Sequence, residues 1–144
     1  MDVQPAIEKV NEGSVKRFTL DALAAWESLN ADNLKKFFRK SSSDRYFHLY
    51  STNFHDWNGY KSYAQEFMNQ HSALKIEVTA LRLFQEGAVV YVAVSYELVE
   101  SFKSGGQSSR EGRYTGVLLP SGGSWQIVHE QWSLPVRAAG WENY

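Results

Sequence analysis

The chain has 144 residues, with 15 Lys and Arg against 16 Asp and Glu for a formal charge of -1, and it contains no cysteine. That length gives one domain, residues 1–144, able to bury a core without a disulfide or metal staple. The near balance of charge, with no block of one sign, excludes an electrostatic footprint for nucleic acid or an anionic membrane, and the lack of thiols excludes thiol catalysis and thiolate metal sites.

The first twenty residues mix Asp2, Glu8, Lys9, Glu12, Lys16 and Arg17 with apolar positions, so they hold no signal-peptide core. The longest apolar run, Ala88 to Val94, is too short to cross a bilayer. A soluble, cytoplasmic protein is the default expectation. Aromatic residues make up 15% of the chain, and Tyr and Trp concentrate where an apolar body and a wet polar tip are both useful, in pockets and interfaces.

Residues 1–13 read as a lead-in, with Pro5 opening a turn of helix and Gly13 ending it. From Ser14, the expected N-cap, Val15, Phe18, Ala22, Ala25, Trp26 and Leu29 recur at steps of three and four and predict an amphipathic helix. Asn30 to Asn33 breaks it. Asp32 is the expected cap of a second, shorter helix on which Leu34, Phe37 and Phe38 share a face. After the polar stretch Lys40 to Asp44, the alternation in Tyr46-Phe47-His48-Leu49-Tyr50 predicts a strand. Asn53 to Asn58 reads as an irregular connection with room for a short strand. Tyr60, Tyr63, Ala64, Phe67, Met68 and His71 then give a third helical stripe.

From Leu74 onward the period changes to 2. Four long segments, about 74–85, 88–103, 107–119 and 124–134, are separated by Glu86-Gly87, Ser104-Gly105-Gly106 and Ser121-Gly122-Gly123, each a hairpin signal. Strands of that length reach about 40 Å and twist, so the antiparallel meander has to coil around the three helices. The expected fold is α+β, a half-open cone with helices on the concave face. An apolar convex side predicts a homo-oligomer, most simply a dimer through that face. The tail, residues 135–144, ends in Trp141-Glu142-Asn143-Tyr144 and is expected to dock over a cavity mouth or a neighbouring subunit.

The last strand carries large side chains on both faces. Trp125, Ile127, His129, Gln131 and Ser133 alternate with Gln126, Val128, Glu130, Trp132 and Leu134. One face is read as lining a cavity and the other as packing against a partner.

The order of elements, ending in Arg113-Tyr114-Thr115, Gly123-Ser124-Trp125-Gln126-Ile127-Val128-His129 and Ser133, resembles a SnoaL-like domain of the ketosteroid-isomerase and nuclear-transport-factor superfamily, over about Ser14 to Pro135. The resemblance implies a cone-shaped α+β barrel. Members of the superfamily include isomerases, dehydratases, cyclases, epoxide hydrolases, oligomerisation hubs and non-catalytic transport factors, so fold alone does not choose a reaction. The isomerase positions of that family fall here on Tyr50, Ala25 and Thr115, none of which supplies its carboxylate base or its enolate-holding pair. Steroid isomerisation is not expected.

The family's cavity-lining aromatic late in the last strand corresponds to Trp132. If Trp132 faces inward, Val128 and Glu130 do too, while His129 faces out. Carried across hairpins of about four residues, the same parity turns Arg113, Thr115 and Val117 inward, with Val92, Val94, Tyr96 and Leu98 on the next strand. A bulge would invert it.

These residues give three constellations, each with a plain structural alternative. Arg113 and Glu130 are either a ligand-facing pair inside an apolar cone or a self-satisfied cross-strand ion pair. Tyr46, His48 and Tyr50 put a candidate acid or base, His48, between hydroxyl donors, or else a buried histidine hydrogen-bonded to its neighbours. Trp57, Tyr60 and Tyr63 form an aromatic rim, or they pack in the core. The dispersed histidines give no metal spacing, and neither metal nor cofactor is expected.

Two functions remain open. One is a protein that binds a small hydrophobic or aromatic molecule, with His48 and Glu130 as candidate catalytic groups for cofactor-independent acid–base work and Tyr46, Tyr50, Trp57, Tyr60, Tyr96, Arg113, Thr115 and Trp132 as its lining. The other is a non-catalytic oligomerisation or accessory domain with a vestigial cavity.

Overall fold

The computed structural model describes residues 9–41, 44–47 and 53–135. Its first helix, α1 (Glu12–Ala24), begins at an Asn11 cap whose side chain accepts the Ser14 N–H at 3.0 Å. Ser14 is thus the residue being capped, not the cap, and Gly13 lies in the first turn instead of ending a lead-in. Val15, Phe18, Ala22, Leu23 and Trp26 form the buried stripe. Full burial of side chains the size of Val15, Phe18 and Leu23 stabilises by about 1.5–3 kcal/mol each. A single-turn 3-10 segment, Ala25–Ser28, continues α1 and stops at Leu29, which takes a left-handed φ of 58°.

The second helix, Ala31–Phe37, is 3-10, capped by Asn30 and not by Asp32. Its buried residues are Ala31, Leu34 and Phe37. A spacing of three puts them on one edge of a helix with three residues per turn, which is why the short segment winds this way. Phe38 is already extended and bridges to Ile127.

Strand β1 (Arg45–Phe47) follows, then α2 (Trp57–Asn69), whose cap Asp56 accepts the Gly59 N–H at 2.9 Å. The meander consists of β2 (His71–Glu86), β3 (Val89–Phe102), β4 (Gln107–Ser121) and β5 (Ser124–Ser133). The sheet order is β1-β5-β4-β3-β2, with β1 parallel to β5 and the other pairs antiparallel. Two register shifts interrupt the β2–β3 ladder, at His71/Ala73 and Val78/Ala80, and irregularities of this kind bend a strand. Among the described residues no helix is long and apolar enough to cross a membrane.

The register overturns part of the expected parity. On β3 the even residues Val90, Val92, Val94, Tyr96 and Leu98 are buried against the helices, as expected. On β4, however, the inward residues are Gly112, Tyr114, Gly116 and Leu118, while Arg113 and Thr115 are exposed on the convex face and Val117 points the same way. Two local features cause this. The β3–β4 hairpin closes on Ser101–Gln107, leaving residues 102–106 in the connection, an odd number where about four residues were expected. The β4–β5 ladder then shifts between Leu118–Ile127 and Val117–His129, so Val128 is the extra residue of a bulge. Ile127 turns inward in its place, 1% exposed, and beyond the bulge Glu130 and Trp132 face the core.

Candidate functional site

Glu130 sits at the middle of the concave face, opposite Gly116 on β4 and beside Tyr46 on β1. It is 1% exposed. Tyr60, one turn into α2, donates its hydroxyl to Glu130 Oε1 at 2.9 Å. Burial pushes the carboxyl up from 4.5 to about 7, while the phenols of Tyr114 and Tyr60 and the indole of Trp132 act in the opposite direction by favouring the carboxylate. The phenols of Tyr60 and Tyr114 are themselves held well above their ordinary value, first by burial and then by the charge of Glu130. They therefore remain donors throughout the range in which Glu130 exchanges its proton.

Rings enclose this carboxyl. Trp132 meets Trp26 at 5.4 Å, Tyr96 at 5.3 Å and Tyr114 at 4.7 Å, all edge to face. Its Nε1 is buried and lies close enough to Glu130 to favour the carboxylate, but it closes no hydrogen bond of normal geometry. A buried N–H left over in this way is uncommon in a folded protein. Two glycines on β4 make room for the tyrosines. A Cβ on Gly112 would lie 2.3 Å from the hydroxyl oxygen of Tyr96, and one on Gly116 would lie 2.8 Å from that of Tyr114.

Of the residues expected at a site, Tyr46, Trp57, Tyr60, Tyr96, Glu130 and Trp132 are together in the interior. Their roles differ. The Tyr46 hydroxyl is engaged by backbone, 2.7 Å from the Arg39 carbonyl and 3.2 Å from that of Ile127. Trp57 stacks on Phe38 at 5.0 Å and is a core residue, not a rim. Tyr96 donates to the Ser133 carbonyl at 3.3 Å. Arg113 and Thr115, expected inside, stand on the opposite face of the sheet, because the bulge at Val128 reverses the parity of β4 relative to β5. Arg113 forms no pair with Glu130. His48 and Tyr50 lie outside the described residues.

Tyr114 is the residue that sequence reasoning missed. The signal was available in Gly112-x-Tyr114-x-Gly116, because glycines at period 2 on one face of a strand mark close approach by something bulky. A second buried carboxyl, Glu100 on β3, was missed as well. Its Oε2 lies 2.6 Å from His71 Nε2 and its Oε1 accepts from Arg110 Nη2 at 2.7 Å, while His71 Nδ1 is 2.7 Å from the Phe67 carbonyl. Among the described residues no group of three His, Asp or Glu side chains is placed to hold a metal ion.

Solved structures share this architecture. A nuclear transport factor 2-like superfamily protein from Salmonella enterica serovar Typhimurium superimposes with a TM-score of 0.79 at 16% identity, over 92% of this chain and 96% of that one. A proposed calcium/calmodulin-dependent protein kinase II association domain from Xanthomonas campestris gives 0.73 at 18% identity, over 93% and 95%. A proposed scytalone dehydratase from Novosphingobium aromaticivorans gives 0.74 at 11% identity, over 92% and 93%. At these identities the likeness is one of fold. No curated protein matches the chain significantly. The model of the SnoaL-like domain matches residues 15–137, nearly the whole of the cone described above, and the chain belongs to that family.

Proposed function

We propose that the protein binds a small hydrophobic or aromatic molecule inside its cone and that Glu130 is the acid–base group facing it. The observation that carries this reading is the neutral, hydrogen-bonded surrounding of Glu130, whose carboxyl is raised to about 7 by burial. At neutral pH both protonation states of such a group are populated. As the acid it donates its proton to a leaving or carbonyl oxygen, and as the carboxylate it removes a proton from carbon. Tyr60 and Tyr114 stay protonated and supply hydrogen bonds to charge that develops on the ligand, and the Trp132 N–H is a further donor beside the Glu130 carboxyl. No cofactor enters this scheme.

Glu130 is 1% exposed, so in this reading binding against it is coupled to an opening of the aromatic cluster. The direct test is a native mass spectrum of freshly purified protein followed by melting curves with any retained molecule or a panel of aromatic ketones. A discrete excess mass, or a ligand-induced rise in Tm that Glu130→Gln abolishes, supports the reading. An unchanged ligand shift in Glu130→Gln removes Glu130 from it.

The second reading, a non-catalytic accessory or assembly domain, is favoured by an exposed pair of aromatic rings on the sheet. Its surface is the convex face, where Phe84 and Tyr91 stack at 4.8 Å and remain 42% and 40% exposed. A symmetric dimer through that face is compatible with either reading. The same mass spectrum tests it, since a monomer mass at micromolar concentration contradicts the dimer.

A further inference from the structure

Outside the cone, α1, the 3-10 helix Ala31–Phe37 and the β4–β5 hairpin enclose a cleft of about 400 Å³, a volume in the range of small-molecule sites. Its floor is aromatic. Phe18 and Phe37 meet edge to face at 5.5 Å, and Trp125 closes the hairpin side with its indole N–H donating to Ser14 Oγ at 3.3 Å. Three charged side chains border this floor. Arg17 and Asp21 are one turn apart on α1, and Lys36 holds its ammonium 5.1 Å from the centre of the Phe37 ring. Among the described residues none of the three makes an ion pair.

Two cations and one anion around an apolar floor leave an excess of one positive charge. We propose that this cleft is a second ligand site, distinct from the interior around Glu130, for a small aromatic monocarboxylate. The ring lies over Phe37 and Trp125, and the carboxylate is shared by the Arg17 guanidinium and the Lys36 ammonium. The cation–π contact with Phe37 holds the Lys36 ammonium at the edge of this floor before any ligand arrives. Asp21 opposes a second negative charge, so dianions are disfavoured. The site is solvent-facing, and each charge contributes only the modest energy of an exposed pair, screened by salt.

The proposal does not depend on the function of the cone, and its probe reports the two places separately. Naphthalene-2-carboxylate is titrated into the full chain while the indole N–H resonances are followed by NMR, with the Trp125 signal assigned by its loss in Trp125→Phe. A saturable shift of the Trp125 signal is expected. Arg17→Gln or Lys36→Gln weakens it by about two- to fivefold, the size of an exposed ion pair. Asp21→Asn tightens it by a similar factor, and the neutral 2-naphthamide binds more weakly than the acid. All four side chains are at the surface or the cleft rim, and circular dichroism of each variant verifies the fold. The proposal is overturned if Trp125 does not shift saturably at millimolar ligand, if the variants and the amide bind like the wild-type and the acid, or if only the interior indoles respond.

Discussion

Two glutamates, Glu130 and Glu100, are both 1% exposed and both project from the sheet toward the helices, yet their surroundings are opposite. Glu100 is paired with the Arg110 guanidinium at 2.7 Å and lies 2.6 Å from the His71 ring. Glu130 is surrounded by phenols and an indole, neutral donors that stabilise its carboxylate without cancelling its charge. The two buried carboxyls thus differ in what faces them, a guanidinium and an imidazole at Glu100 and uncharged donors at Glu130, where burial raises the carboxyl to about 7.

The largest effect should come from removing the compensated anion. Glu100→Gln leaves Arg110 and His71 without their carboxylate and is expected to destabilise the fold by about 3–5 kcal/mol in denaturant unfolding. A loss below about 1 kcal/mol would mean that Glu100 is solvated or idle, and the contrast would collapse.

Glu130 should instead act through pH. Its folded-state value lies above the ordinary 4.5, at about 7, so the folded protein holds this proton more tightly than the unfolded chain. The resulting stability is fully present below about 4.5 and is lost as pH rises to about 7, a change on the order of 3 kcal/mol if the whole rise is realised. Glu130→Gln should flatten that part of the stability curve while leaving the rest unchanged. An identical pH profile in the two proteins would contradict the assignment.

Smaller changes sharpen the comparison. Gly116→Ala forces a Cβ to within 2.8 Å of the Tyr114 hydroxyl oxygen, and the displacement should cost about 1–3 kcal/mol in unfolding measurements. Tyr60→Phe removes the 2.9 Å donor to Glu130 and should move the midpoint of that carboxyl further upward, by about one pH unit. A downward move would show that Tyr60 stabilises the acid form. Arg113→Ala, on the exposed face, should change stability by less than about 0.5 kcal/mol and leave the Glu130 titration untouched.

The sequence was most legible where a pattern repeats. The stripe from Val15 to Trp26, the stripe from Tyr60 to Met68 and the glycine-marked hairpins placed the helices and the order of β2 to β5. It was least legible where one residue changes the outcome. Val128 is an ordinary β-branched residue, and nothing local marks it as the bulge that turns Arg113 outward and Tyr114 inward. The helix caps were displaced for a similar reason. Asn11 and Ser14, like Asn30 and Asp32, are comparable capping residues, and in each pair the earlier one is the cap. The Glu100 cluster joins His71, Glu100 and Arg110 from three strands, so it exists only once the register is known. Glu130 was legible because Trp132, two residues on, shares its face irrespective of the bulge.

The most direct test is the titration of Glu130 in the folded protein, followed by the carboxyl C=O infrared band or the side-chain 13C shift and assigned by its absence in Glu130→Gln. A single transition with a midpoint near 7 is the predicted result. A midpoint at or below the ordinary glutamate value would show that the phenols and the indole outweigh burial, and Glu130 would then be a buried anion and not the acid–base group of the cone.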